Sequence, residues 1–187
     1  LKWLEARDHH LAEDFTDLIL STSSPWIAFL AADGIAPQDW LDRLISNVQQ
    51  SLAKNPRTVG VGAPTRLVDI GGFSQSLNIL LDSPFAHAHS PHWWRPEVES
   101  QVAFVPFDNS VFKASELKQT LVKLAPEPLG SLAARLGHQL KDSGSVTMLF
   151  PEPVVMRREL SIPSIWLQKW RQFGRSQEEM DRTTYLH

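Results

Sequence analysis

The chain has 187 residues, 42% of them hydrophobic, and its 18 Lys and Arg stand against 21 Asp and Glu for a formal net charge of −3. That length supports one sizeable core rather than two independent domains, and the slightly acidic balance excludes the concentrated basic surface that nucleic-acid binding needs. With no cysteine, neither a disulfide framework nor a thiolate zinc site can form. No apolar run approaches the roughly 20 residues that span a bilayer, and Leu1–Leu20 is too charged for a signal peptide. The expectation is a soluble, cytoplasmic single domain over residues 1–176 with a tail at 177–187.

In chain order, apolar residues at Leu4, Leu11, Phe15, Leu18 and Ile19 predict an amphipathic helix over Leu4–Leu20. Ser21–Pro25 breaks it. The run Trp-Ile-Ala-Phe-Leu at Trp26–Leu30 reads as a strand covered on both faces, and it leads into Ala31, Ala32, Asp33 and Gly34. Pro37 suits the first turn of a helix over Gln38–Lys54, whose apolar face is Trp40, Leu41, Leu44, Ile45 and Val48. A strand at Thr58–Gly62 follows, and the order helix, strand, helix, strand indicates an α/β layered sheet. "GVGAPT" at Gly60–Thr65 lacks the third glycine and the helix start of a nucleotide-binding loop, and reads as a strand end and turn.

Between Pro64 and Pro96 the periodicity fades into a long excursion rich in proline, histidine and tryptophan. A short strand is expected at Val102–Val105. Ser115 is placed to cap a helix over Glu116–Leu124, and Leu132, Leu136 and Leu140 predict another over Ser131–Asp142, ended by Gly144. A strand at Val146–Phe150 precedes "PEPVVMRREL" and an aromatic, basic helix, "SIWLQKWRQFGR".

Several residues offer chemistry, each beside a plainer role. His87, His89 and His92 have a spacing that suits a metal, but no neighbouring Asp, Glu or Cys completes a set, which makes them polar loop residues. Trp166, Trp170 and Phe173 alternate with Lys169, Arg171 and Arg175. Such a helix can pack on the domain, lie on a membrane surface, or offer Arg171 and Arg175 to phosphates. Asp33 stands at the carboxyl end of a buried strand, where ligands of open α/β sheets bind. The Asp33-Gly34 pair is equally a good turn.

Taken in order, "WIAFLAADG", "PQDWLDRL", "VGVGAP", "VDIGGF", "VAFVPFDNSVFKASEL", "LAARLGHQLKDSG", "VTMLFPEPVVMRREL" and "WRQFGR" resemble the family 2 glycosyltransferases of GT-A fold, over residues 25 to 176. The resemblance implies a GT-A-like mixed α/β sheet flanked by helices, and an inverting transfer from a nucleotide-diphosphate sugar. It also implies that most of the N-terminal nucleotide-binding half is missing, either because the chain is cut from a larger protein or because another chain supplies it.

In that family the strand matching Trp26–Leu30 ends in an Asp-x-Asp motif that holds Mg²⁺ or Mn²⁺ against the donor's phosphates, a hard cation suited to oxygen ligands. Here the motif is Ala31-Ala32-Asp33, so Asp33 alone carries the metal-binding role. The family's general base falls on Pro128 and Leu129, neither of which accepts a proton; Glu127 reaches that role only through a one-residue loop shift. Where the family often has a metal-binding histidine, Met156 stands, and a thioether is a poor ligand for Mg²⁺ or Mn²⁺. The acceptor side is retained, with Asp108 and Asn109 placed to bond sugar hydroxyls and Trp93 and Trp94 to stack on sugar rings.

The resemblance therefore implies a catalytically impaired domain that binds a sugar or glycan, or assembles with a transferase partner. An active transferase using a nucleotide-sugar is the rival reading, and a ligand-free scaffold the third. The strand edge left by the missing half implies a homodimer or hetero-complex, since exposed edges are normally covered.

Overall fold

A computed structural model of the chain describes residues 11–68, 71–81, 95–124 and 129–158, with positions 164 and 167. Helix α1 (Leu11–Ser21) precedes strand β1 (Trp26–Leu30), and a tight turn leads to the two-residue strand β2 (Gly34–Ile35). Helix α2 (Trp40–Lys54), strands β3 (Thr58–Gly62) and β4 (Thr65–Leu67), and helix α3 (Gly72–Leu81) follow. Strands β5 (Ser100–Val102) and β6 (Asn109–Lys113) lead to helices α4 (Ala114–Leu121) and α5 (Leu129–Asp142), and the described chain ends on β7 (Val146–Leu149) and β8 (Val155–Arg157).

The strands form two mixed sheets. The larger has the order β1-β6-β3-β7-β5 and the smaller the order β2-β8-β4. In the larger sheet β6 runs antiparallel to both β1 and β3, while β3 and β7 are parallel. Strands β1, β3 and β7 thus point the same way. Each continues from its carboxyl end into a strand of the smaller sheet: β1 into β2, β3 into β4, β7 into β8. Strand β6 enters from that same end, its first residue Asn109 lying opposite Leu30.

Helices cover both faces of the larger sheet. On one face Leu44 and Val48 of α2 pack on Val61, Val111 and Phe150, with Trp26, Trp40, Leu52 and Met148 at the margin. On the other, Ile19 of α1, Leu117 and Leu121 of α4, and Leu136 and Leu140 of α5 pack on Phe29, Val59, Phe112 and Leu149. Complete burial of such side chains contributes about 1.5–3 kcal/mol each, so the two layers account for the sandwich of helix, sheet and helix.

The mixed α/β class agrees with the sequence expectation, as does the opening order helix, strand, helix, strand apart from the short β2. Helix α2 begins two residues later than expected, β3 matches, and β7 ends one residue earlier. Gly144 does end α5: its φ of +76° is a left-handed conformation, and Ser145 N–H returns to the Leu140 carbonyl at 2.9 Å. Helix α4 starts earlier than expected, with Lys113 at the N-cap and no side-chain cap bond, so Ser115 lies inside the helix.

Other elements differ. Strand β1 is not covered on both faces; only Phe29 is buried, because β1 is the edge of the described sheet. The expected strand at Val102–Val105 lies earlier, at Ser100–Val102. The excursion after Pro64 contains β4 and α3. Strand β6 has no counterpart in the sequence reading, although its first four residues are buried. Of the predicted N-terminal helix, residues 4–10 lie outside the described part.

Among the described residues, no helix is long and apolar enough to cross a membrane.

Candidate functional site

The three crossings between the sheets define a junction at the carboxyl ends of parallel strands, the usual location of ligand sites in α/β sheets. Strand β1 enters it through a tight turn in which Gly34 N–H donates to the Ala31 carbonyl at 2.8 Å. Asp33 occupies the third position of that turn, directly before Gly34. Strand β2 then pairs with β8 so that Gly34 lies opposite Arg157, which brings Asp33 beside the arginine.

Arg157 is the centre of the junction. Its Nε donates to Asp33 Oδ1, and its Nη1 donates to Asp108 Oδ2 at 3.2 Å. All three side chains are largely withdrawn from solvent, with exposures of 7% for Asp33, 17% for Asp108 and 10% for Arg157. The backbone reinforces the arrangement: Ala31 N–H donates to the Asp108 carbonyl at 3.0 Å and Arg158 N–H to the Asp33 carbonyl at 3.4 Å.

Asp108 is positioned from behind by aromatic packing. Phe107 lies 4.9 Å from Phe29 and 5.5 Å from Phe112, centroid to centroid, in tilted geometry. These rings belong to the core under β1 and β6, so Asp108 emerges from a packed wall.

Asn109 closes the junction on its other side. It is fully buried. Its Nδ2 donates to the Pro64 carbonyl at 3.0 Å and to the Pro153 carbonyl at 2.7 Å, and its Oδ1 accepts from Trp40 Nε1 at 2.8 Å. Pro64 links β3 to β4 and Pro153 links β7 to β8, so one amide ties two crossings to helix α2. The β7–β8 link is held further by Asn47 Nδ2, which donates to the Glu152 carbonyl at 2.8 Å, and by Arg95, 2.7 Å from Glu152 Oε1.

Of the residues expected to form a site, Asp33 and Asp108 are brought together through Arg157. Asn109 adjoins them, with its amide committed to the fold. Met156 is half-buried on β8, opposite Ile35 and Arg66, and Leu129 opens α5. Glu127, Pro128, Trp93, Trp94, Arg171, Arg175 and the histidines at 87, 89 and 92 lie outside the described residues. Arg157 and Trp40 are the residues that sequence reasoning missed as parts of the junction. The signal for Arg157 was its place two residues after Val155, which puts both on one face of a strand. Both are buried.

The residues do not fit the divalent cation that the Asp-x-Asp resemblance implies. One oxygen of each carboxylate, Asp33 Oδ1 and Asp108 Oδ2, already accepts from a guanidinium, and among the described residues no group of three or more His, Asp or Glu is placed to hold a metal. Comparison with protein-family models and with curated proteins finds no match to this chain.

Proposed function

We propose that the chain is a GT-A-like domain of the family 2 glycosyltransferase lineage whose catalytic centre has been converted into a structural ion-pair junction. It acts by binding a glycan or by assembling with a transferase partner. The observation that carries this reading is the buried engagement of Asp33 and Asp108 by Arg157. A transferase needs the Asp33 carboxylate for its donor, and here that carboxylate serves the fold. Ala31, Pro128 and Leu129, where the family carries acids, support the same reading.

The edge of the larger sheet favours assembly. Ala28 is exposed and Leu30 is 41% exposed on β1; on α2, Leu41 and Ile45 are 46% and 44% exposed. Leu30 lies opposite Asn109, whose side chain reaches Trp40, so Leu30 is on the α2 face of the sheet. The opposite flank of α2 points toward β5 and β7, because Asn47 bonds to Glu152 and Gln50 and Lys54 bond to Glu99. By helical geometry Leu41 and Ile45 therefore overhang β1. Together they form an apolar strip along a sheet edge, the kind of surface that a partner covers.

Calorimetry with UDP-, GDP- and dTDP-sugars, with and without Mn²⁺, and with glycan fragments tests the reading. Glycan binding, or self-association without metal-dependent nucleotide binding, is the expected result. Mn²⁺-dependent binding of any nucleotide-sugar contradicts it.

A further inference from the structure

We propose that Arg157 is the resident cation of this centre: its guanidinium bonds both Asp33 and Asp108 from within the fold, and it makes the junction metal-independent. The inference rests on the geometry of the cluster and not on the glycosyltransferase reading, since it concerns two carboxylates and one arginine whatever the domain binds.

Three observations carry it. First, adjacent nitrogens of one guanidinium address two carboxylates from different elements, Nε toward Asp33 in the β1–β2 turn and Nη1 toward Asp108 at the entrance to β6. A planar fork of donors suits this task better than a point charge, and arginine is the residue of choice for such buried pairs. Second, the side chains are largely withdrawn from water, so a mobile ion cannot enter without displacing a group that is covalently tethered to β8. Third, β8 is the central strand of the smaller sheet, paired on one side with β2 and on the other with β4. The backbone that delivers Arg157 is thus held on both sides.

The physical difference from a metal centre is one of exchange. A bound ion equilibrates with solution and can carry phosphate oxygens in its open coordination positions. A tethered guanidinium stays with the fold and coordinates nothing, so the junction keeps its charge balance in chelator and offers no ligand-exchange position.

The test is a Mn²⁺ titration of the intact chain, followed by thermal unfolding and by water-proton relaxation, on wild type, Asp33→Asn, Arg157→Met and Arg157→Met/Asp33→Asn. Wild type is expected to show no Asp33-dependent Mn²⁺ binding and no change of Tm in chelator. Arg157→Met exposes the two carboxylates to each other, and is expected to gain Mn²⁺ binding, with a rise in Tm of about 5 °C at about 10 mM Mn²⁺ that the double variant loses. Mn²⁺ binding by wild type that Asp33→Asn abolishes overturns the proposal, as does a folded Arg157→Met that gains nothing. Should Arg157→Met fail to fold, wild type and Arg157→Lys decide: Asp33-dependent Mn²⁺ binding by either overturns it, and its absence from both supports it. Nucleotide-sugar binding is not part of this readout, so failure here is distinct from failure of the functional reading.

Discussion

Arg157 Nε donates to Asp33 Oδ1 across 124 positions of sequence, and this pair joins the turn leaving the larger sheet to the central strand of the smaller one. Removing one member of a buried ion pair leaves an uncompensated charge, at a cost of about 3–5 kcal/mol. Arg157→Ala removes a donor shared by two carboxylates, whereas Asp33→Asn keeps an oxygen that accepts from Nε and leaves Asp108 beside the arginine. Urea unfolding should therefore rank Arg157→Ala as the more damaging change. The Asp33→Ala/Arg157→Ala double variant should cost less than the sum of its single changes. Simple additivity would show that the pair contributes nothing specific.

Asn109 is expected to be a stability residue of the first rank. Truncation to Ala leaves the Pro64 and Pro153 carbonyls and the Trp40 indole N–H without their bonds in a buried setting. Each orphaned group costs about 1–3 kcal/mol before relaxation and water entry, so Asn109→Ala should destabilise by at least about 2 kcal/mol. Asn109→Asp should be no better, because a carboxylate cannot donate to two carbonyls. A loss under about 0.5 kcal/mol in chemical denaturation would show that the junction is not tied together by this amide.

Gly137 reverses the ordinary helix rule. Gly→Ala inside a helix normally stabilises by up to about 1 kcal/mol, but a Cβ at position 137 would stand 2.1 Å from Phe104 Cβ and 2.9 Å from the Ala103 carbonyl oxygen. Backbone as well as side chain would have to move, and overpacking of this kind costs about 1–3 kcal/mol. Gly137→Ala should lower the thermal midpoint, and a rise would mean that α5 does not approach residues 103 and 104 this closely.

The main architecture was legible because its signals are local. The strand Thr58–Gly62 and the helix ending at Lys54 have short-range patterns that need no knowledge of their partners, and Gly144 carries its own stop signal. Strand β6 was missed because its buried start is Asn109-Ser110, polar residues that break the apolar run a strand is recognised by. Their burial is intelligible only once Trp40, Pro64 and Pro153 are known to converge on Asn109. The exposure of β1 was hidden for the opposite reason: Trp-Ile-Ala-Phe-Leu is as apolar as a central strand, and its edge position depends on sheet order. Asp33 and Asp108 were identified as acids of interest, but Arg157 was not. Local spacing cannot reveal a partner on a distant strand.

The apolar strip at the β1 edge predicts association. Small-angle scattering should show a particle larger than one chain, and Leu30→Lys or Ile45→Lys should shift it toward the monomer without a large loss of stability, since both side chains are substantially exposed. Strand edges are commonly protected from pairing by lysine, which is why Leu30→Lys is the sharper probe. A wild-type monomer over the accessible concentration range would count against the strip as a self-association surface.

The proposed closure of this centre to sugar transfer is tested most directly by turnover. Release of nucleoside diphosphate from UDP-, GDP- and dTDP-sugars, in the presence of Mn²⁺ and glycan acceptors, should stay at background for wild type. It should also stay there for Ala31→Asp, because restoring one carboxylate leaves Asp33 engaged by Arg157 and provides no base at Pro128 and Leu129. Acceptor-dependent turnover above background by either protein would contradict the account.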